Sequence, residues 1–177
     1  MTLLAITGSL RKHAFNTALR DAAVQMASDD IQIISAPATD TLPFFNPDDD
    51  DEAHPHPAVA LWRNAIRSAD GIMLFSPEYA HDIPGSLKNA LDWVVGSGEL
   101  VGKPIAIINA SPTHLGAPYA FERLAYLARL LSAQVVEAAS FRIDAVNHKI
   151  DARGAITDPA TKHALQKSIT ALAAAIS

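Results

Sequence analysis

The segment 76–93, SPEYAHDIPGSLKNALDW, carries the most unusual combination of residue types in this chain. It follows the apolar run 71–75, which is typical of a parallel strand buried on both faces, and it enters a helical pattern at Pro84. Pro77 has a fixed backbone and no N–H donor, and Tyr79 supplies an aromatic face. The turn could therefore hold a planar ring with polar edges, or it could simply connect a strand to a helix.

A second segment, residues 8–17 (GSLRKHAFNT), also follows an apolar run and enters a helix. The N–H groups at a helix start are unpaired and carry partial positive charge, so they favour an anion such as phosphate. Four side chains could add bonds to it: Ser9, Arg11, Asn16 and Thr17. The alternative is that one of them only caps the helix. The dinucleotide and ATP signatures are absent, so a mononucleotide fits better than ATP.

Apolar runs and helical patterns alternate along the chain. The predicted strands span residues 2–7, 31–35, 71–75, 105–109 and 135–141, and the predicted helices span residues 15–27, 58–68, 84–95, 117–131 and 159–176. This alternation predicts a doubly wound α/β fold, with a five-stranded parallel sheet in the order 2-1-3-4-5 and helices on both faces. Ligands bind such sheets outside the carboxyl ends of strands one and three. We therefore expect segments 8–16 and 76–83 to face each other.

Composition narrows the function classes. With 177 residues, 49% of them hydrophobic, residues 1–177 are expected to form one domain. The absence of cysteine excludes thiolate catalysis and cysteine-bound zinc. A net charge of −5 with scattered Lys and Arg argues against a nucleic-acid partner. We see no secretory signal and no apolar stretch of membrane-spanning length, so we expect a soluble, cytoplasmic protein with no membrane partner.

The pairing of GSLRKHAFN after the first strand with SPEYAHDIPGSLKNALDW after the third resembles the NADPH-dependent FMN reductase family of flavodoxin-like proteins. The resemblance covers essentially the whole chain in element order. It implies that the first segment holds the FMN phosphate, that the second lies beside the isoalloxazine ring, and that segment 111–117 (SPTHLGA) also contacts the flavin. The cofactor-binding residues that it implies are Ser9, Arg11, Asn16, Thr17, Pro77, Glu78, Tyr79, His81, Ser111 and Gly116.

The activity implied by the resemblance is hydride transfer from NADPH or NADH to bound FMN. Electrons then pass to a small acceptor such as a quinone, a free flavin, an azo compound or a metal oxyanion. Because the flavin carries this chemistry, no residue is predicted to be catalytic, and Glu78 is expected to be solvated or to cap a helix. A flavin-binding electron carrier or redox sensor without reductase turnover is the alternative, and a scaffold without flavin is the third.

Three positions depart from the usual pattern of the family. Ala14 replaces a frequent serine, which removes one hydroxyl from the phosphate segment. In Gly116-Ala117, the alanine replaces the second of two frequent glycines, and its methyl group would narrow the approach to the ring if this position has a positive φ. Val94-Val95 replaces a Ser-Arg pair near the subunit interface of relatives, so we expect assembly or flavin access to differ.

Two further patterns concern metals and assembly. The acidic stretch 48–56 (DDDDEAHPH) matches no EF-hand or zinc spacing, so we predict a mobile loop and no metal site. The helical pattern 119–131 has more apolar residues than one face against a sheet requires. The resemblance also implies a homodimer or homotetramer, although a deeply buried helix would show the same wide apolar stripe.

Overall fold

The computed structural model describes residues 1–51 and 53–176. Strands and helices alternate through most of the chain, as predicted. They are β1 (Thr2–Thr7), α1 (Phe15–Met26), β2 (Gln32–Ser35), α2 (Pro57–Ser68), β3 (Gly71–Ser76), α3 (Gly85–Asp92), β4 (Pro104–Ala110), α4 (Pro118–Leu130), β5 (Gln134–Val135), β6 (Phe141–Ile143) and α5 (Pro159–Ile176).

The sheet has the predicted doubly wound order. Its strands run β2-β1-β3-β4-β5, with β6 also paired to β4, and every pairing is parallel. The register places Thr7 beside Phe75 and Ser76 beside Asn109, so β1, β3 and β4 end at the same edge. The winding reverses between β1 and β3, and ligands bind at that point in sheets of this kind.

The predicted strand 135–141 is not continuous, because β5 and β6 pair with different parts of β4. Between them the chain makes a 3₁₀ turn, in which the N–H of Ala139 donates to the carbonyl of Val136. The Ser140 Oγ donates to the same carbonyl at 2.9 Å, and the Ser168 Oγ on α5 donates to the carbonyl of Ala139 at 2.6 Å. These side-chain bonds stabilise the break, so two short pieces fill the fifth position of the sheet.

Helices cover both faces of the sheet, as predicted. Every residue of β3 is buried. One apolar cluster joins the sheet to α2, α3 and α4, and a second joins it to α1 and α5. Trp62 and Trp93 lie in the first cluster, where their indole N–H groups donate to the carbonyls of Ala90 and Pro43, both at 2.9 Å. Both rings are therefore buried without an unpaired donor. No helix in the described ranges has the length and apolar character to cross a membrane.

The sequence predicts that the acidic stretch 48–56 is mobile, but in the structure an ion pair of Asp50 fixes part of it. Asp50 accepts a hydrogen bond from the Arg63 Nη2 at 2.7 Å, and the two side chains are only 18% and 6% exposed. The Arg63 Nε also donates to the carbonyl of Trp93 at 2.8 Å. Within residues 1–51 and 53–176, no group of three or more His, Cys, Asp or Glu side chains is placed to hold a metal ion. Glu52, in the same stretch, lies outside the described residues.

Candidate functional site

Three loops meet at the carboxyl edge of the sheet: residues 8–14 after β1, residues 77–84 after β3 and residues 111–117 after β4. The first loop begins against β3, because the N–H of Gly8 donates to the carbonyl of Phe75 at 2.8 Å. The parallel register brings the loops after β1 and β3 to one edge, as the sequence predicts. We call the region that these three loops border the cleft.

Helix α1 begins at the cleft without a side-chain cap. Its N-cap residue, Ala14, has extended backbone, and no side-chain hydrogen bond or acidic residue neutralises the first turn. The polar residues that could have capped this helix, Asn16 among them, therefore do not do so. The unpaired N–H groups and the positive end of the helix dipole remain available to an anion.

The first loop surrounds this helix start with further donors. Ser9 is buried, and its Oγ accepts a hydrogen bond from the N–H of Arg11 at 3.4 Å. The side chain of Arg11 is exposed, and it makes no ion pair or hydrogen bond with the rest of the described chain. Thr17 lies half-buried in the first turn of α1. A hydroxyl, a free guanidinium and unpaired N–H groups together suit a phosphate.

Asn16 connects the helix start to the neighbouring strand. Its Nδ2 donates to the carbonyl of Ala110 at 3.0 Å, and its Oδ1 accepts from the N–H of Ala110 at 3.2 Å. The residue is buried, so this pair of bonds fixes the start of α1 against the end of β4. One N–H of the amide stays free for a ligand, because Nδ2 carries two.

The predicted turn after β3 contains left-handed backbone that the sequence does not indicate. The N–H of Tyr79 donates to the carbonyl of Asp82 at 2.9 Å, and the N–H of Asp82 donates back at 3.0 Å. Between them Ala80 and His81 have φ values of +50° and +61°. Such turns usually carry Gly or Asn, and neither is present here. The turn raises Tyr79 and His81 to the surface beside Pro77, which is half-buried.

Glu78 caps helix α4 across the cleft. Its Oε2 accepts hydrogen bonds from the N–H groups of Tyr119 (2.8 Å) and Ala120 (3.0 Å). The ring of His81 stacks on that of Tyr119, with centroids 4.3 Å apart and planes inclined by 25°. The loops after β3 and β4 are thus joined by two contacts. Of the two outcomes expected for Glu78, solvated or capping, the structure shows the cap, whereas Tyr119 was missed by sequence reasoning.

Replacing Glu78 by alanine is expected to lower the free energy of unfolding by about 1 kcal/mol, because α4 loses its cap. Glu78→Gln keeps an oxygen that accepts from both N–H groups, so it should retain most of the stability. Urea unfolding followed by circular dichroism measures both variants. Equal stability of Glu78→Ala and the unmodified protein would show that the cap contributes nothing.

The loop after β4 contains two successive residues with left-handed backbone. Gly116 has φ +64°, and a Cβ there would lie 3.2 Å from the backbone N of Asp144. Ala117 follows with φ +59° and ψ +54°. Its φ is positive, which is the condition under which we expected its methyl group to narrow the approach to the ring. Ser111 is buried near the start of the loop, and its Oγ lies 3.0 Å from the Thr113 Oγ1. The loop is therefore held in one conformation, with strain at Ala117.

Replacing Ala117 by glycine is expected to raise the free energy of unfolding by about 0.5 kcal/mol. Left-handed backbone costs an alanine about 1–2 kcal/mol, which exceeds the entropy that a glycine loses on folding, about 0.5–1 kcal/mol. The matched control is Ala164→Gly in α5, where the same change should cost about 1 kcal/mol. Thermal unfolding measures both variants. Equal losses of stability in Ala117→Gly and Ala164→Gly would contradict this account.

The segment after β6 borders the third loop and contains two carboxyl groups with lowered pKa. A hydrogen bond and the charge of Lys149 lower the pKa of Asp144, and hydrogen bonds from Thr161 lower the pKa of Asp158. Both carboxyl groups are exposed to solvent, so their effect on stability is screened. Asp144 also forms an ion pair with Lys149, which balances its negative charge.

The sheet is flavodoxin-like, and α1 begins without a cap at the edge where the winding of the sheet reverses. Proteins with this arrangement bind a phosphorylated cofactor at that edge. The model of the NADPH-dependent FMN reductase family matches residues 1–148. The chain therefore belongs to the NADPH-dependent FMN reductase family.

Individual relatives agree with this assignment. The chain is 29% identical over 175 residues to the quinone reductase of Escherichia coli (strain K12), covering 97% of this chain and 93% of that protein. It is 31% identical over 172 residues to an NAD(P)H-dependent FMN reductase of Pseudomonas aeruginosa, with 96% and 92% covered. The solved structure of FerB, a flavoenzyme NAD(P)H:(acceptor) oxidoreductase from Paracoccus denitrificans, superposes with a TM-score of 0.82 at 27% identity, covering 99% and 96% of the two chains.

The predicted family, fold, enzyme class and cofactor are thus confirmed: the chain is an oxidoreductase that uses FMN with NAD(P)H as donor. The cleft fits this cofactor, because the uncapped start of α1 and the free guanidinium of Arg11 match a phosphate. The loops after β3 and β4 border the remainder of the cleft, where a ring could lie.

Proposed function

We propose that this enzyme passes electrons from NAD(P)H, through FMN bound in the cleft, to a quinone. The observation that supports the cleft as the site is the uncapped start of α1 at the switch point of the sheet. Bound FMN would accept hydride from the donor and release electrons to the acceptor. The protein's part is to hold the cofactor, orient it and leave one face accessible.

We assign the phosphate to the first loop. Ser9, Arg11 and Thr17 would bind it together with the N–H groups of α1, and the free N–H of Asn16 could add one bond. The ring is assigned to the other two loops, where the bordering residues are Pro77, Glu78, Tyr79, His81, Ser111 and Gly116. Within this set Glu78 positions the loops by capping α4, and no residue is required as an acid or base.

The rim of the cleft favours a flat, apolar acceptor. Leu10, Tyr79, Leu115 and Tyr119 come from the three loops and the start of α4, and each is between 46% and 54% exposed. A quinone can pack on such side chains, whereas a metal oxyanion gains little from them. The quinone reductase of E. coli and the 2-hydroxy-1,4-benzoquinone reductase of a Burkholderia species, 32% identical over 170 residues, are named for such acceptors.

The acceptor is tested by steady-state NADPH oxidation with the FMN-loaded enzyme. We expect kcat/KM for 1,4-benzoquinone to exceed that for chromate at equal NADPH concentration. A Tyr79→Ala variant should lose a larger fraction of the kcat/KM for the quinone than of that for chromate, because a lost flavin contact alone would lower both equally. Preference for chromate in the unmodified enzyme would contradict the quinone assignment and leave the flavin chemistry intact.

We also propose that two or more copies associate through the outer face of α4. Tyr126 and Leu130 are 58% and 64% exposed, and they line a groove of about 520 Å³ with Phe121 and Ala125. Leu130→Glu is expected to reduce the mass measured by light scattering to that of a monomer. Leu61→Glu is the matched control, because Leu61 on α2 is equally exposed. A monomeric mass for the unmodified protein would contradict the association.

Residues 1–177 are proposed to form one domain, because both apolar clusters pack on a single sheet. A single cooperative unfolding transition is the expected result. We propose the cytoplasm as its compartment, since the chain has no cysteine and depends on a nicotinamide donor. Fractionation of cells that produce the protein tests this placement.

A further inference from the structure

A groove with a volume of about 880 Å³ lies between α1 and the segment 150–156 that precedes α5. It begins at Lys12 and His13, on the same loop as Ser9 and Arg11, so it opens beside the phosphate end of the cleft. Its apolar lining comes from both sides of the groove: Phe15, Ala18, Ala22, Met26, Ile150 and Ile156. This lining could pack against a flat ring.

Three cations line the groove without a partner. The side chains of Lys12, Arg153 and Lys162 are exposed, and none of them makes an ion pair or hydrogen bond within the described part of the chain. The whole chain has 14 Lys and Arg and 19 Asp and Glu, so its net charge is negative. Three unpaired cations in one groove are therefore unusual for this protein. Unpaired cations around an apolar lining suit an anionic ligand with a ring.

Two carboxylates, Asp21 and Asp151, also line the groove, and each already has partners within the protein. Asp21 forms an ion pair with the neighbouring Arg20, with 2.6 Å between Nη2 and Oδ1. The Asp151 Oδ1 accepts hydrogen bonds from the N–H groups of Arg153 (2.8 Å) and Ala155 (2.9 Å). Both carboxylates thus have partners inside the protein, whereas the three cations do not.

We propose that this groove binds the adenosine 2′-phosphate end of NADPH and thereby selects NADPH over NADH. The adenine packs on the apolar lining, and the 2′-phosphate lies among Lys12, Arg153 and Lys162. NADH has a hydroxyl in place of that phosphate and leaves the three cations unpaired. The assignment rests on the proposed function, because the nicotinamide end must reach the flavin in the adjoining cleft.

The test is steady-state kinetics of the FMN-loaded enzyme with a fixed quinone and each donor in turn. Arg153→Ala and Lys162→Ala, which lie outside the first loop, should each raise KM for NADPH about tenfold, the typical effect of losing one charge-assisted hydrogen bond. KM for NADH and kcat with either donor should stay unchanged. Lys167→Ala is the matched control, since Lys167 lies on α5 outside the groove and its side chain has no ion pair or hydrogen bond among the described residues.

An inhibitor that carries the adenosine 2′-phosphate group but cannot donate hydride gives a second test of the same groove. Adenosine 2′,5′-bisphosphate should inhibit competitively against NADPH, and adenosine 5′-monophosphate should be much weaker. Failure of the bisphosphate to compete, or equal changes in KM for both donors, would overturn the groove assignment. An enzyme that oxidises neither donor would instead contradict the proposed function, and the groove assignment would fall with it.

Discussion

Replacing Arg11 by alanine is expected to raise the dissociation constant of FMN by roughly 10- to 100-fold, the usual range for losing a hydrogen bond to a charged group. The Arg11 guanidinium is free, and it lies on the loop that leads to the uncapped start of α1. A phosphate bound there would lose its charge-assisted partner while the N–H groups of the helix remain. Titration of the apoprotein with FMN, followed by quenching of flavin fluorescence, measures the constant.

Two variants separate the guanidinium from charge alone. Arg11→Lys keeps the positive charge but lacks the planar guanidinium that matches a phosphate. Its dissociation constant for FMN should therefore lie between those of the unmodified protein and of Arg11→Ala. Lys167→Ala removes a free cation far along α5 and should leave FMN affinity unchanged. An Arg11→Ala variant with the affinity of the unmodified protein would remove Arg11 from the phosphate site.

Replacing Asp50 by alanine is expected to lower the free energy of unfolding by about 3 kcal/mol, because it leaves the charge of a buried arginine unpaired. Arg63 is only 6% exposed, and its other hydrogen-bond partner among residues 1–51 and 53–176 is the carbonyl of Trp93. Removal of Asp50 therefore leaves Nη2 without its carboxylate. Urea unfolding at neutral pH measures the loss.

The neighbouring aspartate provides the control for this variant. Asp49 is exposed, and within the described residues its side chain hydrogen-bonds only to Asn46, so Asp49→Ala should change stability by less than about 0.5 kcal/mol. In an Arg63→Met background, Asp50→Ala should cost far less than it does alone, because no buried charge remains. Equal losses in the two backgrounds would show that the ion pair is not the cause.

The ion pair also affects the cleft, because the segment just before Asp50 packs against α3. The N–H of Phe45 donates to the Asn89 Oδ1 at 2.7 Å, and the ring of Phe45 meets that of Trp93 edge-on with centroids 5.1 Å apart. Helix α3 follows directly from the loop that contains Tyr79. Loss of Asp50 should therefore loosen one border of the cleft as well as lower stability.

Much of the fold could be predicted because its signals are local. The strands are short apolar runs followed by polar turns, and Pro84, Pro118 and Pro159 stand at or just before helix starts. Once the order 2-1-3-4-5 followed from this alternation, the position of the cleft followed as well. The two loops rich in functional groups could thus be brought together without any knowledge of side-chain contacts.

The remaining features depend on contacts between distant parts of the chain. The break at residue 139 is fixed by Ser168, which lies 29 positions later, and no local pattern announces it. The Ala80-His81 turn lacks the Gly or Asn that usually marks left-handed backbone. Glu78 caps a helix that starts 40 residues further on, and the sequence around Ala117 does not reveal this partner. The groove beside α1 likewise forms only when residues 150–156 fold against that helix.

The central claim is that the cleft holds FMN that NADPH reduces. The most direct test is the visible absorption spectrum of the purified protein, supplemented with FMN and desalted, before and after anaerobic addition of NADPH. We predict retained bands of oxidised flavin that bleach on addition of NADPH. Retained flavin that neither NADPH nor NADH bleaches would favour an electron carrier or redox sensor over a reductase. Loss of all flavin on desalting would contradict the claim that this cleft is a flavin site.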